Sequence, residues 1–196
     1  MTKKQQTLSD PPRARYEYRV WGRQRKARKL LEKLASDVSE ERIKDCYLLT
    51  ADSNWNAKVR DNTLKVKQLI EEDKGFERWT ADRPRTADDA PSPFDELFET
   101  LQLDRPQRGK SYDLYDAVTR LDTDPDTQVV FVKKKRRRYT VGELRAEVTD
   151  IKIVETSEVL HTLQIEGEDL DQLIRLRKKL GLRDEPNVAV HEALAD

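Results

Sequence analysis

The stretch Arg15-Tyr16-Glu17-Tyr18-Arg19-Val20-Trp21 decides how the rest of the chain is read. Arg15, Glu17 and Arg19 leave one side of it, and Tyr16, Tyr18 and Val20 leave the other. Period two marks a β-strand, because successive side chains project from opposite faces of the pleat. The unusual property is the polar face, which carries both signs of charge.

The pattern recurs outward from there. Residues 55–61 and 63–70 read as a hairpin across the Asp61-Asn62 turn signal. In it Lys58 and Arg60 share one face and Lys65 and Lys67 another, with Ala57, Val59, Leu64 and Val66 opposite. Further strands are expected over 45–51, over 76–81 with Glu77 and Arg78, over 127–139, over 144–154 with Arg145, Glu147 and Thr149 on one face, and over 159–166 with Gln164 and Glu166. The run Lys133-Lys134-Lys135-Arg136-Arg137-Arg138 puts three cations on each face of its strand. One set forms an exposed basic patch of the kind that attracts nucleic acid. Only Tyr139 stands there for base stacking, so nucleic acid is a minor alternative as a partner.

Helices are expected over 23–36, with Ala27, Leu30, Leu31 and Leu34 as the apolar stripe, over 169–180 with Gly181 as its stop, and over 188–195. Residues 82–93 read as a linker, followed by short helices over 93–103 and 112–121. The stretch from about 82 to 125 is therefore a helical insert in one domain spanning 13–196. Residues 1–12 read as a disordered tail without the apolar core of a signal peptide, and no long apolar run suggests a membrane helix. A cytoplasmic protein is expected.

Composition narrows the chemistry. The 196 residues hold 38 Lys plus Arg against 38 Asp plus Glu, so no net charge steers the whole molecule toward nucleic acid. The single cysteine, Cys46, excludes an internal disulfide and a cysteine-based zinc site, and lies in an apolar pattern that reads as a buried thiol. His161 and His191 are isolated and read as structural or surface residues. No glycine-rich phosphate loop and no serine-nucleophile motif is present.

About eight strands thus carry charged faces. An open sheet would hold them in water; a closed barrel would turn them into a shared bore, with apolar side chains and helices outside. Lys and Arg beside Glu in such a bore are costly unless ligands, metal or pairing satisfy them. A dense anion satisfies the cations, and a hard divalent ion, Mg²⁺ or Mn²⁺, satisfies the carboxylates. Polyphosphate with a divalent ion meets both needs.

The ordered series Glu17-x-Arg19, Lys58-x-Arg60, Lys65-x-Lys67, Lys134-x-Arg136, Glu147-x-Thr149-Asp150 and Gln164-x-Glu166 resembles the CYTH family, the triphosphate tunnel metalloenzymes. The resemblance runs from about Arg15 to the end, apart from the insert. It implies an α+β fold: a closed antiparallel eight-stranded β-barrel with surrounding helices. It implies a triphosphate-containing small molecule or nucleotide as partner and Mg²⁺ or Mn²⁺ as cofactor. Arg19, Lys58, Arg60, Lys65, Lys67, Lys134 and Arg136 are the implied phosphate contacts, and Glu17, Glu147 and Glu166 the implied metal ligands, with Asp150 a weaker candidate. The family's opening Glu-x-Glu-x-Lys is here Arg15, Glu17 and Arg19, and its late Glu-x-Glu is Gln164 and Glu166; both losses fall on the metal side. The implied activity is triphosphate hydrolysis first and class IV adenylyl cyclisation second. A tunnel that binds without turnover, and a basic-patch adaptor for RNA or protein, remain open as alternatives.

Overall fold

Nine strands and three helices, with helical residues also at 118–119 and 121–122, make up the regular structure of the described residues. In the computed structural model these are 14–50, 54–61, 63–81, 83–85, 118–119, 121–123, 125 and 127–195. The strands are β1 (Arg15–Trp21), β2 (Asp37–Thr50), β3 (Trp55–Arg60), β4 (Thr63–Asp73), β5 (Phe76–Trp79), β6 (Arg83–Arg85), β7 (Thr127–Val141), β8 (Leu144–Ile153) and β9 (Val159–Gly167). The helices are α1 (Arg25–Leu34), α2 (Leu170–Leu180) and α3 (Val190–Ala195). Hydrogen bonding runs β3-β2-β7-β8-β9-β1-β5-β4, and β4 pairs with β3 to complete the ring. The result is the expected closed antiparallel eight-stranded barrel. Beside it, β6 pairs with β4.

Alternation sets which side chains go where. Tyr18 and Val20 point outward and join Tyr139, Leu144, Ala146, Leu163 and Ile165 beneath Ala27 and Leu31 of α1 and Leu173, Leu176 and Leu180 of α2. Burial of each such large apolar side chain contributes about 1.5–3 kcal/mol. Asp169 caps α2 by accepting the Gln172 N–H at 2.9 Å, and Gly181 ends it with a left-handed φ of 73°. A second outer cluster holds Cys46, Leu48, Ala57, Leu64, Leu121 and Val129. Burial there pushes the Cys46 thiol up to about 12, so it is an inert core residue, as expected.

A third cluster lies inside the barrel. Tyr47 and Leu49 of β2, Val130 and Val132 of β7 and Ile151 of β8 meet Val190 and Leu194 of α3, with Trp21, Ile153 and Leu160 around them. These are residues from the end where β1, β2 and β8 finish and β7 and β9 begin, so α3 plugs that end with apolar bulk. The chain reaches the plug through a gap in the wall. β5 pairs with β1 only from Arg15 to Glu17. Beyond it, Asn187 Oδ1 accepts the Arg19 backbone N–H at 2.7 Å and the Val188 N–H donates to the Arg19 carbonyl at 3.1 Å.

Several expected boundaries are corrected. β2 begins at Asp37 rather than at 45, pairing with β7 from Asp37–Thr140 to Thr50–Thr127. Its first half lacks an apolar face because it is held by charge, as in Glu40 with Arg137 and Glu41 with Arg136. Helix α1 starts only at Arg25, after Gly22 and Gln24 at φ 88° and 39°. Thr140 and Val141 stay in β7, and the turn tightens to Gly142-Glu143 with Gly142 at φ 61°. The stretch read as a linker contains β6. The expected tail over 1–12 and the expected helix over 93–103 lie outside the described residues, as does most of the helix expected over 112–121. No helix among the described residues is long and apolar enough to cross a membrane.

Candidate functional site: a charged bore

The other face of each strand lines a cavity of about 560 Å³. Every site residue expected from sequence except Asp150 borders it: Glu17 and Arg19 from β1, Lys58 and Arg60 from β3, Lys65 and Lys67 from β4, Lys134 and Arg136 from β7, Glu147 from β8 and Glu166 from β9. Arg15, Arg138 and Arg145 add three more cations. In all, ten Lys and Arg face five Asp and Glu, so the bore is strongly positive in a chain with no net charge. The six-residue basic run divides as its alternation requires: Lys134, Arg136 and Arg138 enter the bore.

The deepest charged group was not foreseen. Asp45 has a side-chain exposure of 0%. It accepts from Arg60 Nε at 2.6 Å and Nη2 at 2.8 Å, and lies 2.9 Å from Lys134 Nζ. Lys134 also donates to the Tyr47 hydroxyl at 2.5 Å. Burial pushes the Asp45 carboxyl up, but the Arg60 hydrogen bond and the Lys134 charge outweigh it and hold Asp45 well below the usual range. Burial pulls the Lys134 ammonium down to about 8. Asp45 starts the strand read over 45–51; the signal that could have found it is its alternation with Tyr47.

A second network runs along the bore. Gln164 Nε2 donates to Glu17 Oε2 at 3.0 Å and to Glu166 Oε2 at 3.2 Å, while its Oε1 accepts from Arg19. Arg19 Nη2 donates on to Glu147 Oε1 at 3.2 Å, and Arg136 Nη1 reaches Glu147 Oε2 at 3.2 Å. Lys67 Nζ donates to Glu17 Oε1 at 2.6 Å, and Arg15 Nη1 to Glu166 Oε1 at 3.2 Å. Burial raises Glu147, but Arg19, Arg136 and Lys134 outweigh it and bring the carboxyl to about 2. Burial and the facing Glu17 raise Glu166.

Glu77 is the other residue missed as a site group, although its strand was foreseen. It sits opposite Glu17 across β1 and β5, is buried, and accepts from Trp79 Nε1 at 3.0 Å. Burial lifts it to about 7, against the lowering by the Trp79 N–H. Asn187, which also borders the bore, comes from the C-terminal segment and had no local signal.

Asp150 is corrected as a metal candidate. It points outward, is half exposed, and lies 2.8 Å from His161 Nδ1. The remaining carboxylates do not form a ready metal site. Glu17 and Glu166 converge on Gln164, but each also holds a cation, and Glu147 stands apart between Arg19 and Arg136. Among the described residues no three His, Cys, Asp or Glu side chains are grouped so as to hold an ion. The donor set therefore does not fit a resident metal, and the two expected carboxylates replaced by Arg15 and Gln164 are the reason. His191 is buried edge-on to Trp79, with ring centroids 5.6 Å apart, a structural residue as expected.

Solved structures with a closed antiparallel barrel of this kind match the chain. A conserved hypothetical protein from Pyrococcus furiosus is 16% identical with a TM-score of 0.54, covering 91% of this chain and 98% of the other. A protein from Pyrococcus horikoshii is 16% identical at a TM-score of 0.55, covering 92% and 98%. A structure from Bacillus halodurans described as a candidate adenylate cyclase is 10% identical at 0.52, covering 92% and 96%. The fold is the triphosphate tunnel fold. No protein-family model matches the sequence, and no curated protein matches it by sequence.

Proposed function

We propose that the bore binds the polyphosphate chain of a triphosphate-containing small molecule or nucleotide. The observation that carries this is Lys58 directly opposite Lys65 across β3 and β4, both facing the bore. Like charges at that separation destabilise a sheet. A ligand with several phosphates would offset the excess of ten Lys and Arg over five Asp and Glu around the bore. Arg19, Arg60, Lys67, Lys134 and Arg136 complete the ring of donors, and charge-assisted bonds to phosphate oxygens are the strong ones. The fold of a candidate adenylate cyclase is consistent with a nucleotide as that ligand.

Hydrolysis of the triphosphate is the second reading. Glu17 and Glu166 both lie within hydrogen-bond distance of one Gln164 nitrogen. A divalent ion that arrives on the phosphate would find two carboxylates near one point. The test is to incubate the protein with tripolyphosphate, thiamine triphosphate and ATP, each with Mg²⁺ or Mn²⁺, and assay phosphate, pyrophosphate and cyclic nucleotide. Turnover establishes the enzyme. Thermal stabilisation by tripolyphosphate without turnover leaves a binding module. No turnover together with no stabilisation by tripolyphosphate would sink both tunnel readings.

A further inference from the structure

The outer wall of the barrel carries a second basic surface, built from the same strands. Outward from β2, β7 and β8, Lys44 lies opposite Lys133, which lies opposite Lys152. In the next outward row Arg42 lies opposite Lys135, which lies opposite Asp150. Neighbouring strands are about 5 Å apart, and the two rows are about 7 Å apart along the strands. All five side chains are exposed and border a groove of about 430 Å³. None of the five makes an ion pair among the described residues. One row further on, Arg137 takes Glu40 and Glu32 as partners, so the unpaired rows are not the rule for this wall. The one carboxylate bordering the groove, Asp150, is turned to His161. Lysines lined up across three strands repel one another without an external anion.

Apolar groups adjoin the cations. Phe131, two residues from Lys133 on the same face of β7, is 45% exposed, and Val159, opposite Lys152, is 47% exposed. A lone exposed aromatic ring beside regularly spaced lysines is the chemistry that binds a sugar–phosphate chain and stacks a base. β7 and β8 are paired along both edges through this region and offer a ligand side chains only, while β2 pairs with β3 only from Cys46 to Leu48.

We infer that this outer face of β2, β7 and β8 binds single-stranded nucleic acid, independently of the bore. The phosphates lie along the two lysine-rich rows and one base stacks on Phe131.

The experiment is fluorescence anisotropy with a labelled oligouridylate carrying a 5′-hydroxyl, in the presence of saturating tripolyphosphate. Binding is expected to persist under that competitor. It should weaken about fiftyfold from about 50 to about 200 mM salt, as four single-strand phosphate contacts require. Lys44→Glu combined with Lys152→Glu should weaken it by about tenfold or more, and Phe131→Ala by roughly tenfold. Both variants should keep the wild-type thermal shift with tripolyphosphate, which shows that they fold. Absence of binding, loss of binding to tripolyphosphate, or wild-type affinity in both variants would overturn the inference. So would tighter binding to anionic vesicles or to polyglutamate than to the oligonucleotide.

Discussion

Asp45 holds two of the bore's cations, and its side chain is fully buried. Asp45→Ala would remove the buried carboxylate that Arg60 and Lys134 share, at a cost of about 3–5 kcal/mol. Denaturant unfolding measures this, and a loss under about 1 kcal/mol would show the pair to be dispensable. Glu77 makes the opposite contribution. Its carboxyl titrates at about 7 in the folded protein against 4.5 ordinarily. Between those values the native state keeps a proton that the unfolded chain has released. Stability from this group is thus full below about pH 4.5 and falls as pH rises to about 7. Glu77→Gln should be about 1–3 kcal/mol more stable than wild type near pH 8 and nearly equal near pH 4.5. An equal difference at both pH values would show that Glu77 does not titrate in this range. Asp45 and Glu147, both lowered, act with the reverse sign and lose their contribution only in acid.

Among the elements, α3 is the one that converts a barrel into a cup. Val190 and Leu194 fill the end of the bore against Tyr47, Leu49 and Val132. Leu194→Ala should cost about 2–5 kcal/mol, read as a shifted midpoint in a denaturant melt. A near-neutral effect would mean that the plug does not pack as described. The strands were legible because alternation survives in β1, β3, β4, β8 and β9, where an apolar outer face meets a charged inner one. Every expected phosphate and carboxylate residue faces the bore for that reason, Asp150 excepted. The first half of β2 was not legible, since Asp37 to Lys44 is polar on both faces and is set by its long pairing with β7. Asp45, Glu77 and the plug were missed as parts of the site for a related reason. A carboxylate at a strand start or beside a tryptophan carries no local mark of the partners that closure of the barrel brings to it.

For the whole molecule, closure places ten cations around one cavity in a chain with equal numbers of acidic and basic residues. That segregation of charge costs free energy, which polyphosphate bound as proposed would relieve. The donor set at the carboxylate side is short of what a resident metal needs, so anion binding should not depend on added metal. Isothermal titration with tripolyphosphate, in chelator and then in Mg²⁺, tests this most directly. Wild type should bind with one site in both conditions, and Lys58→Ala combined with Lys65→Ala should bind about a hundredfold more weakly, as the loss of two charged contacts requires. No heat of binding in either condition, or unchanged affinity in the double variant, would contradict a polyphosphate site in the bore.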